Sequence, residues 1–130
     1  MKDTTQQWLN LVETDLRTCE KLIDDNFLTN IVVFHAQQVI EKCFKAIIEE
    51  RGLQLPRIHT VSRLYGSIQN IISFPVDNVM LQITDTVYTT SRYPSDLGLV
   101  PDGKPSKDLA VQLYEFAKNI YANTIRTIEI

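Results

Sequence analysis

From Thr29 to Arg51, apolar residues recur every three or four positions, and this pattern constrains the fold more strongly than any other feature of the sequence. With about 3.6 residues per helical turn, this spacing places them on one face of a helix. The face comprises Val32, Val33, Ala36, Val39, Ile40, Cys43, Phe44 and Ile47, and the opposite side carries Gln38, Glu41, Lys42, Lys45 and Glu49. Glu41 and Lys45 have the spacing of an i,i+4 ion pair, and Gly52 suits the left-handed position after a helix. The sequence therefore predicts a long amphipathic helix with a face to bury.

Three other segments show the same periodicity. A helix is predicted over 5–23, with an apolar stripe of Trp8, Leu11, Val12, Leu16, Cys19, Leu22 and Ile23. A short helix is predicted after the N-cap Thr60, with Val61, Leu64, Tyr65, Ile68, Ile71 and Ile72 on one face. The last helix follows a second predicted N-cap, Ser106, and its stripe contains Leu109, Ala110, Leu113, Phe116, Ala117, Ile120, Tyr121, Thr124 and Ile128.

One more helix is predicted between the short helix and the last helix. Pro75 would lie in its first turn, and its buried face would be Val76, Val79, Met80, Ile83 and Val87. It should stop before Arg92, because Pro94 disfavours a helical conformation of Tyr93. No strand pattern competes, and short connections favour antiparallel neighbours. The predicted fold is all-α, an antiparallel up-down bundle of four principal helices plus one short helix.

Composition agrees with a single folded domain over residues 1–130, since 44% of the residues are hydrophobic and 22% are charged. No run approaches the ~20 apolar residues of a membrane span, and the start lacks a signal-like segment, so a cytoplasmic protein without membrane contact is expected. A net charge of −3 means that nucleic-acid binding would need a local basic patch. Cys19 and Cys43 lack the short spacing of a metal or redox pair, and both are predicted to be reduced core residues.

Acidic residues of the first two predicted helices have two different settings. Asp15 lies within the apolar stripe of the first helix, where a carboxylate needs a hydrogen-bonding partner. We expect a Tyr, a His, an Arg or a capped backbone group across the bundle to satisfy it, in a structural or a functional role. Glu41, Glu49 and Glu50, by contrast, are predicted to lie on the exposed face of the long helix or at its margin, where charges mainly interact with water.

The chain has two histidines, in different settings. His35 falls about 100° from the centre of the apolar stripe and should be partly exposed. His59 directly precedes the N-cap Thr60, so it would either fasten the connector to the bundle or donate a hydrogen bond to a ligand. Neither has a metal-ligand companion at short spacing, and no metal site or cofactor is predicted.

The segment from Arg92 to Pro105 lacks periodicity and is rich in proline and glycine, which predicts a loop of a length that is commonly functional or disordered. Arg92, Tyr93 and Pro94 combine a guanidinium, an aromatic ring and a stiff backbone, a set able to bind a phosphate and stack a base. Alternatively, Arg92 pairs with Asp15 and Tyr93 packs against the end of the bundle.

Three apolar side chains near the start of the long helix have no place on its stripe. Phe27, Ile31 and Phe34 project in other directions. They would either cover a neighbouring loop or form part of a subunit contact, and we favour the contact.

Four short motifs occur in order along nearly the whole chain: Asp15-Leu16, Ala36-Gln37-Gln38-x-x-Glu41-Lys42, Pro56-x-x-His59 and Arg92-Tyr93-Pro94. Together with the helical pattern, they resemble the prokaryotic HEPN domain. The resemblance implies a helical bundle that commonly dimerises and that is often paired with a minimal nucleotidyltransferase in toxin-antitoxin modules.

Several HEPN branches are metal-independent ribonucleases that use an Arg followed, after four to six residues, by a His. That motif is absent, because Arg51 and Arg57 stand at other distances from His59 and no His follows Arg92. Standard catalytic templates, such as a glycine-rich phosphate loop, HExxH or Cys-x-x-Cys, are absent too. The resemblance implies a homodimeric binding module in which Arg92, Tyr93 and His59 line a cleft for a nucleotide, RNA or a partner's segment. The alternatives are an RNase toxin with a degenerate active site and a purely structural interaction domain.

Overall fold

Five α-helices arranged as an up-down bundle make up the part of the chain that the structure describes. The structure is a computed structural model, and it describes residues 1–92 and 104–129, except for the side chain of Arg92. A 3-10 turn over Asn26–Leu28 precedes the second helix, and the helices are α1 (Asp3–Leu22), α2 (Thr29–Glu50), α3 (Val61–Ile68), α4 (Asn78–Arg92) and α5 (Lys107–Glu129). These residues contain no strand, and none of their helices is both long and apolar enough to cross a membrane. The predicted all-α bundle is confirmed.

Helix α2 lies at the centre and contacts each of the other four helices. Helix α1 runs antiparallel to it, since the Thr4 hydroxyl donates to Glu49 Oε1 at one end (2.6 Å) and Cys19 Sγ lies 3.5 Å from the carbonyl oxygen of Val32 near the other. Because neighbours surround it, α2 buries 14 of its 22 residues. That is more than the apolar face of an amphipathic helix can supply, so polar side chains must enter the interior.

Burial of α2 on nearly every side overturns the prediction for Glu41. The sequence pattern places Glu41 and Lys45 on the exposed face, but only 7% and 8% of their surfaces are accessible. The two side chains form the predicted i,i+4 ion pair at 2.8 Å, and this pairing is how both charges are accommodated inside. Glu49 and Glu50, at the end of α2, remain partly exposed.

Helix α4 begins later than predicted. Its first residue is Asn78, and Oδ1 of Asp77 accepts hydrogen bonds from the backbone N–H groups of Val79 (2.9 Å) and Met80 (3.2 Å). Pro75 therefore lies before the helix instead of in its first turn. A proline fits the first turn of a helix, but an aspartate that satisfies two free N–H groups defines the start more strongly.

The buried face of α4 also differs from the predicted one. Val79 is 64% exposed, whereas Leu81 and Thr84 have no accessible surface. Val87 is buried, as predicted. The Thr84 hydroxyl donates to the carbonyl oxygen of Met80 (2.7 Å), one turn earlier, and this internal hydrogen bond lets a polar residue occupy a core position.

The N-terminus of α3 is capped by a side chain from α4. Asp85 accepts hydrogen bonds from the backbone N–H of Val61 (2.8 Å) and from the N–H and hydroxyl of Ser62 (3.1 and 2.6 Å). Thr60 occupies the N-cap position, as predicted, but its side chain makes no capping hydrogen bond. Helix α3 ends at Ile68 and is shorter than predicted.

Other predicted helix ends are confirmed. Helix α5 begins at Lys107, and the hydroxyl oxygen of Ser106 accepts a hydrogen bond from the N–H of Leu109 (3.1 Å). Gly52 follows α2 with a φ of 70°, the left-handed conformation that favours glycine. The predicted stripe of α5 faces the core, where its fully or nearly buried members are Ala110, Leu113, Ala117, Ile120, Thr124 and Ile128.

Both cysteines are free and buried, as predicted. Burial raises the pKa of Cys19 and that of Cys43 to about 12, and the nearby Asp15 carboxylate also raises the pKa of Cys19. At neutral pH neither thiol therefore forms the thiolate, which is the reactive species.

We expect neither cysteine to react with a disulfide reagent such as dithiobis(nitrobenzoic acid) at pH 8 in the folded protein. With a pKa of about 12, only about one thiol in ten thousand is ionised at that pH. Both should react once the chain is unfolded in guanidinium. A thiol that reacts equally fast in the folded and unfolded protein would contradict the burial.

Asp85→Ala should lower the free energy of unfolding by about 2 kcal/mol, because α3 loses its cap and Ser62 its acceptor. Urea denaturation monitored by circular dichroism measures the loss. Asp24→Ala is the matched control: the Asp24 side chain is 96% exposed and pairs with Lys107 at 4.0 Å, so a change within about 0.5 kcal/mol is expected. Equal small losses for the two variants would show that water caps α3 as well as Asp85 does.

Candidate functional site

A buried carboxylate of α1 binds two basic side chains of α2. Oδ1 of Asp15 lies 2.7 Å from Nδ1 of His35, and Oδ2 accepts a hydrogen bond from Nζ of Lys42, also at 2.7 Å. The side chain of Asp15 is 7% exposed, whereas those of His35 and Lys42 are 26% and 19% exposed. We call these three residues the Asp15 cluster. Its negative charge is buried, and its two basic groups extend to the surface.

Helical geometry explains why these residues meet. His35 and Lys42 are seven residues apart, about two turns, so they lie on the same face of α2. Asp15 faces them because α1 packs along α2. His35 is among the partner types expected for Asp15 from the sequence, and Lys42 is not. A sequence pattern could have indicated both partners. It consists of two basic residues two turns apart on one helix, which follows a helix with an acidic residue in its apolar stripe.

The Asp15 carboxylate determines which nitrogen of His35 carries a proton. An ionised carboxylate only accepts hydrogen bonds, so Nδ1 of His35 must donate to it. The second ring nitrogen, Nε2, has no hydrogen-bond partner among the residues that the structure describes. His35 therefore has one nitrogen fixed and the other available.

A second group of polar residues surrounds Glu41, and we call it the Glu41 cluster. Oε2 of Glu41 accepts a hydrogen bond from Lys45 (2.8 Å) and lies 3.3 Å from Nδ1 of His59. The Gln37 amide nitrogen donates to Oε1 of Glu41 (3.1 Å) and to the backbone carbonyl of His59 (2.9 Å). Gln38 donates to the Gln37 side-chain oxygen (2.8 Å). The cluster thus attaches the connector before α3 to the central helix.

His59 fulfils one of the two roles that the sequence left open, that of fastening the connector to the bundle. Its backbone and ring both contact α2, which fastens the connector. At the same time its side chain is 76% exposed, so the ring is accessible to a ligand.

An aromatic pair lies beside the Asp15 cluster. The ring of Phe34 meets that of His35 edge to face (centroids 5.1 Å apart) and stacks on Tyr88 of α4 (5.6 Å). Arg92 ends α4, one residue beyond the predicted end and one turn after Tyr88, so its backbone lies on the same side of α4. The side chain of Arg92 and all of Tyr93 lie outside the described residues, so their predicted grouping with His59 stays a prediction.

A groove of about 480 Å³ between α1 and α5 is a poorer place for an anion. Its lining residues include Leu9 and Ile125, which are apolar, and the carboxylates of Glu13 and Glu129. Burial raises the pKa of Tyr121 in the same groove, and Glu13 contributes to that shift. The acidic surroundings repel phosphate, so we place the candidate site at the clusters on α2.

These clusters present several groups that can bind a ligand. The Asp15 cluster offers an ammonium group, which donates hydrogen bonds to anions, and an imidazole, which donates one from Nε2 when the ring carries a second proton. Within residues 1–92 and 104–129, no group of three or more His, Cys, Asp or Glu is placed to hold a metal ion. The buried thiols stay protonated and do not act as nucleophiles.

Comparison with known proteins agrees with the helical architecture. A model of the HEPN domain family matches residues 5–127. The crystal structure of an archaeal HEPN homologue superposes with a TM-score of 0.73 at 23% sequence identity, covering 98% of this chain and 99% of that chain. At this identity the likeness establishes a shared fold. No curated protein matches the chain.

Asp15→Ala should lower the free energy of unfolding by about 2 kcal/mol, because His35 and Lys42 lose their partner while still partly buried. Chemical denaturation at pH 7 measures the loss. The control is Glu13→Ala on the same helix: Glu13 pairs with Arg17, but these side chains are 51% and 75% exposed, so a change within about 0.5 kcal/mol is expected. If Asp15→Ala lowered the free energy of unfolding no more than the control does, water would have to solvate the charges of His35 and Lys42.

Proposed function

This chain belongs to the HEPN family, and from that membership we propose that it is a binding module for a nucleotide or for a minimal nucleotidyltransferase partner. It binds without catalysis of its own, as a homodimer, in a toxin-antitoxin or stress-defence system. Proteins of the family often dimerise. The ligand-binding residues are those indicated by the sequence motifs, Arg92, Tyr93 and His59.

The observation that carries the proposal is the setting of His59. Its ring is 76% exposed, while the Glu41 cluster holds the connector below it. A polar side chain that is accessible but supported from a buried network is suited to ligand contact. The acidic net charge of −3 disfavours long polyanions. A mononucleotide or a protein surface therefore fits the chain better than extended RNA.

The case against catalysis rests on residue types. The Arg and His of the metal-independent ribonucleases are absent at the required separation, since neither histidine follows an Arg after four to six residues. Neither cysteine supplies a thiolate, because burial raises the pKa of both to about 12. A module that holds its ligand needs neither group.

Nucleotide binding is tested by thermal shift and calorimetry with AMP, ADP and ATP. Saturation at about 100 times the dissociation constant should stabilise the protein by about 2.7 kcal/mol. Arg92→Gln and His59→Gln should each weaken binding about tenfold, as expected for the loss of one charge-assisted hydrogen bond. Arg17→Gln should leave binding unchanged, because Arg17 pairs with Glu13 on the outer surface of α1.

Two other outcomes would replace the proposal. Cleavage of single-stranded RNA by purified protein, lost in Arg92→Ala or His59→Ala, would identify a nuclease. A melting curve that no nucleotide changes, together with tight co-purification of an unrelated protein, would identify a structural interaction domain. Co-purification of a minimal nucleotidyltransferase would instead support the paired-module form of the proposal.

The homodimer has a proposed contact of its own. Phe27, in the 3-10 turn before α2, and Ile31, in the first turn of α2, are exposed apolar residues with 71% and 36% of their surfaces accessible. Lys104 lies over the Phe27 ring at 3.2 Å. A second copy of the chain would cover this surface. Exposed apolar residues beside one another favour association.

Phe27→Asp should convert the dimer to a monomer, because the new charge would be buried against the second copy. Analytical ultracentrifugation measures the change. Val79→Asp is the control, since Val79 is 64% exposed on α4 and its replacement should leave the mass unchanged. A dimer that persists in the Phe27 variant would place the contact elsewhere.

A further inference from the structure

We propose that His35 is a ligand-contacting residue as well, with Nε2 of its ring meeting a phosphate oxygen of the bound nucleotide while Asp15 holds the ring in place. This inference rests on the function proposed above and names a further contact to the nucleotide phosphate. His35 belongs to none of the four sequence motifs. Its candidate role as a ligand contact is indicated only by its position against α1.

The two histidines differ in how firmly each ring is held. His59 lies 3.3 Å from its carboxylate and is 76% exposed. His35 lies 2.7 Å from a carboxylate that is itself 7% exposed, and Phe34 packs against its ring. A ring that is already fixed loses less conformational entropy on binding. His35 is therefore the better preorganised of the two.

The hydrogen bond to Asp15 also fixes the direction of donation. Because Nδ1 donates to Asp15, a ring carrying two protons has its second N–H at Nε2. That N–H can donate to a phosphate oxygen, and the charge makes the hydrogen bond stronger than a neutral one. Lys42 has further N–H groups to donate, since its ammonium has three and its hydrogen bond to Asp15 uses one.

The charges of the cluster suit an anion once His35 is doubly protonated. The negative charge of Asp15 and the positive charge of Lys42 cancel at a separation of 2.7 Å. The imidazolium then leaves one net positive charge at a partly exposed position. One positive charge on an otherwise acidic chain attracts a small phosphate ligand without attracting a long polyanion.

An aromatic pair connects the Asp15 cluster to α4. Phe34 joins His35 to Tyr88, and the backbone of Arg92 lies one turn beyond Tyr88 on the same side of α4. The aromatic pair therefore connects the Asp15 cluster with the last turns of α4.

Stability alone does not account for the cluster. A buried ion pair contributes little compared with apolar side chains of the same volume, because removing its charges from water offsets their attraction. Three ionisable groups at the α1–α2 contact therefore stabilise the fold little compared with apolar side chains.

The test reads the imidazole nitrogens directly. Long-range ¹H–¹⁵N spectra of the labelled wild-type protein should show a proton on Nδ1 of His35 in the free state. Titration with AMP should then shift the Nε2 resonance of His35. Inorganic phosphate, titrated separately, should shift the same resonance, because the contact is to the phosphate.

Variants separate ligand contact from a structural role. His35→Gln should weaken AMP binding about tenfold, whereas Arg17→Gln should not change it. Asp15→Asn should weaken binding as well and alter the Nδ1 signal of His35, which identifies Asp15 as a positioning residue. Melting curves check that each variant folds. If a variant does not fold, the wild-type titration still decides, because it needs no substitution.

Each outcome is decisive. AMP that binds and shifts only His59 would overturn this inference and leave the proposed function intact. A shift of His35 Nε2 by inorganic phosphate but not by AMP would support the phosphate contact and overturn nucleotide recognition. If neither compound shifts a histidine and no nucleotide changes the melting curve, the proposed function and this inference both fail.

Discussion

The burial of α2 on almost every side is the constraint on which the rest of the structure depends. A helix in that position cannot expose its polar face, so its charges must be neutralised within the bundle. Two carboxylates do this: Asp15 reaches α2 from α1, and Glu41 belongs to α2 itself. Each contacts one histidine and one lysine, which are His35 and Lys42 for Asp15, and His59 and Lys45 for Glu41. The candidate site is thus built from the groups that neutralise the charges of the central helix.

The helices were predictable because apolar spacing reports which residues leave water. Prediction failed where polar residues were buried in compensated pairs, as for Glu41 with Lys45 and for Thr84 with its own helix backbone. The start of α4 was predicted wrongly for a different reason. Pro75 and Asp77 both fit a helix start, and only the hydrogen bonds to Asp77 distinguish them. Periodicity in residue type contains no information about such local competition.

The candidate site was less predictable than the fold. Asp15 stood out in the sequence as a carboxylate on an apolar stripe, but its partners depend on how α1 is aligned along α2, a tertiary relationship that local patterns do not encode. His35 was therefore recognised as partly exposed without being connected to Asp15. Arg92 and Tyr93 stand out in the sequence only through residue type and family resemblance. Their grouping with His59 remains a prediction, because the described residues do not include the Arg92 side chain or Tyr93.

The hydrogen bonds from Asp85 to the start of α3 have a consequence for how the chain folds. Helix α3 has eight residues, and an isolated helix of that length is not stable in water. Its cap lies 24 residues after Val61, so α3 gains its N-terminal hydrogen bonds only when α4 has docked. The two helices should therefore form and open together, and their amide protons should exchange with solvent at a common rate.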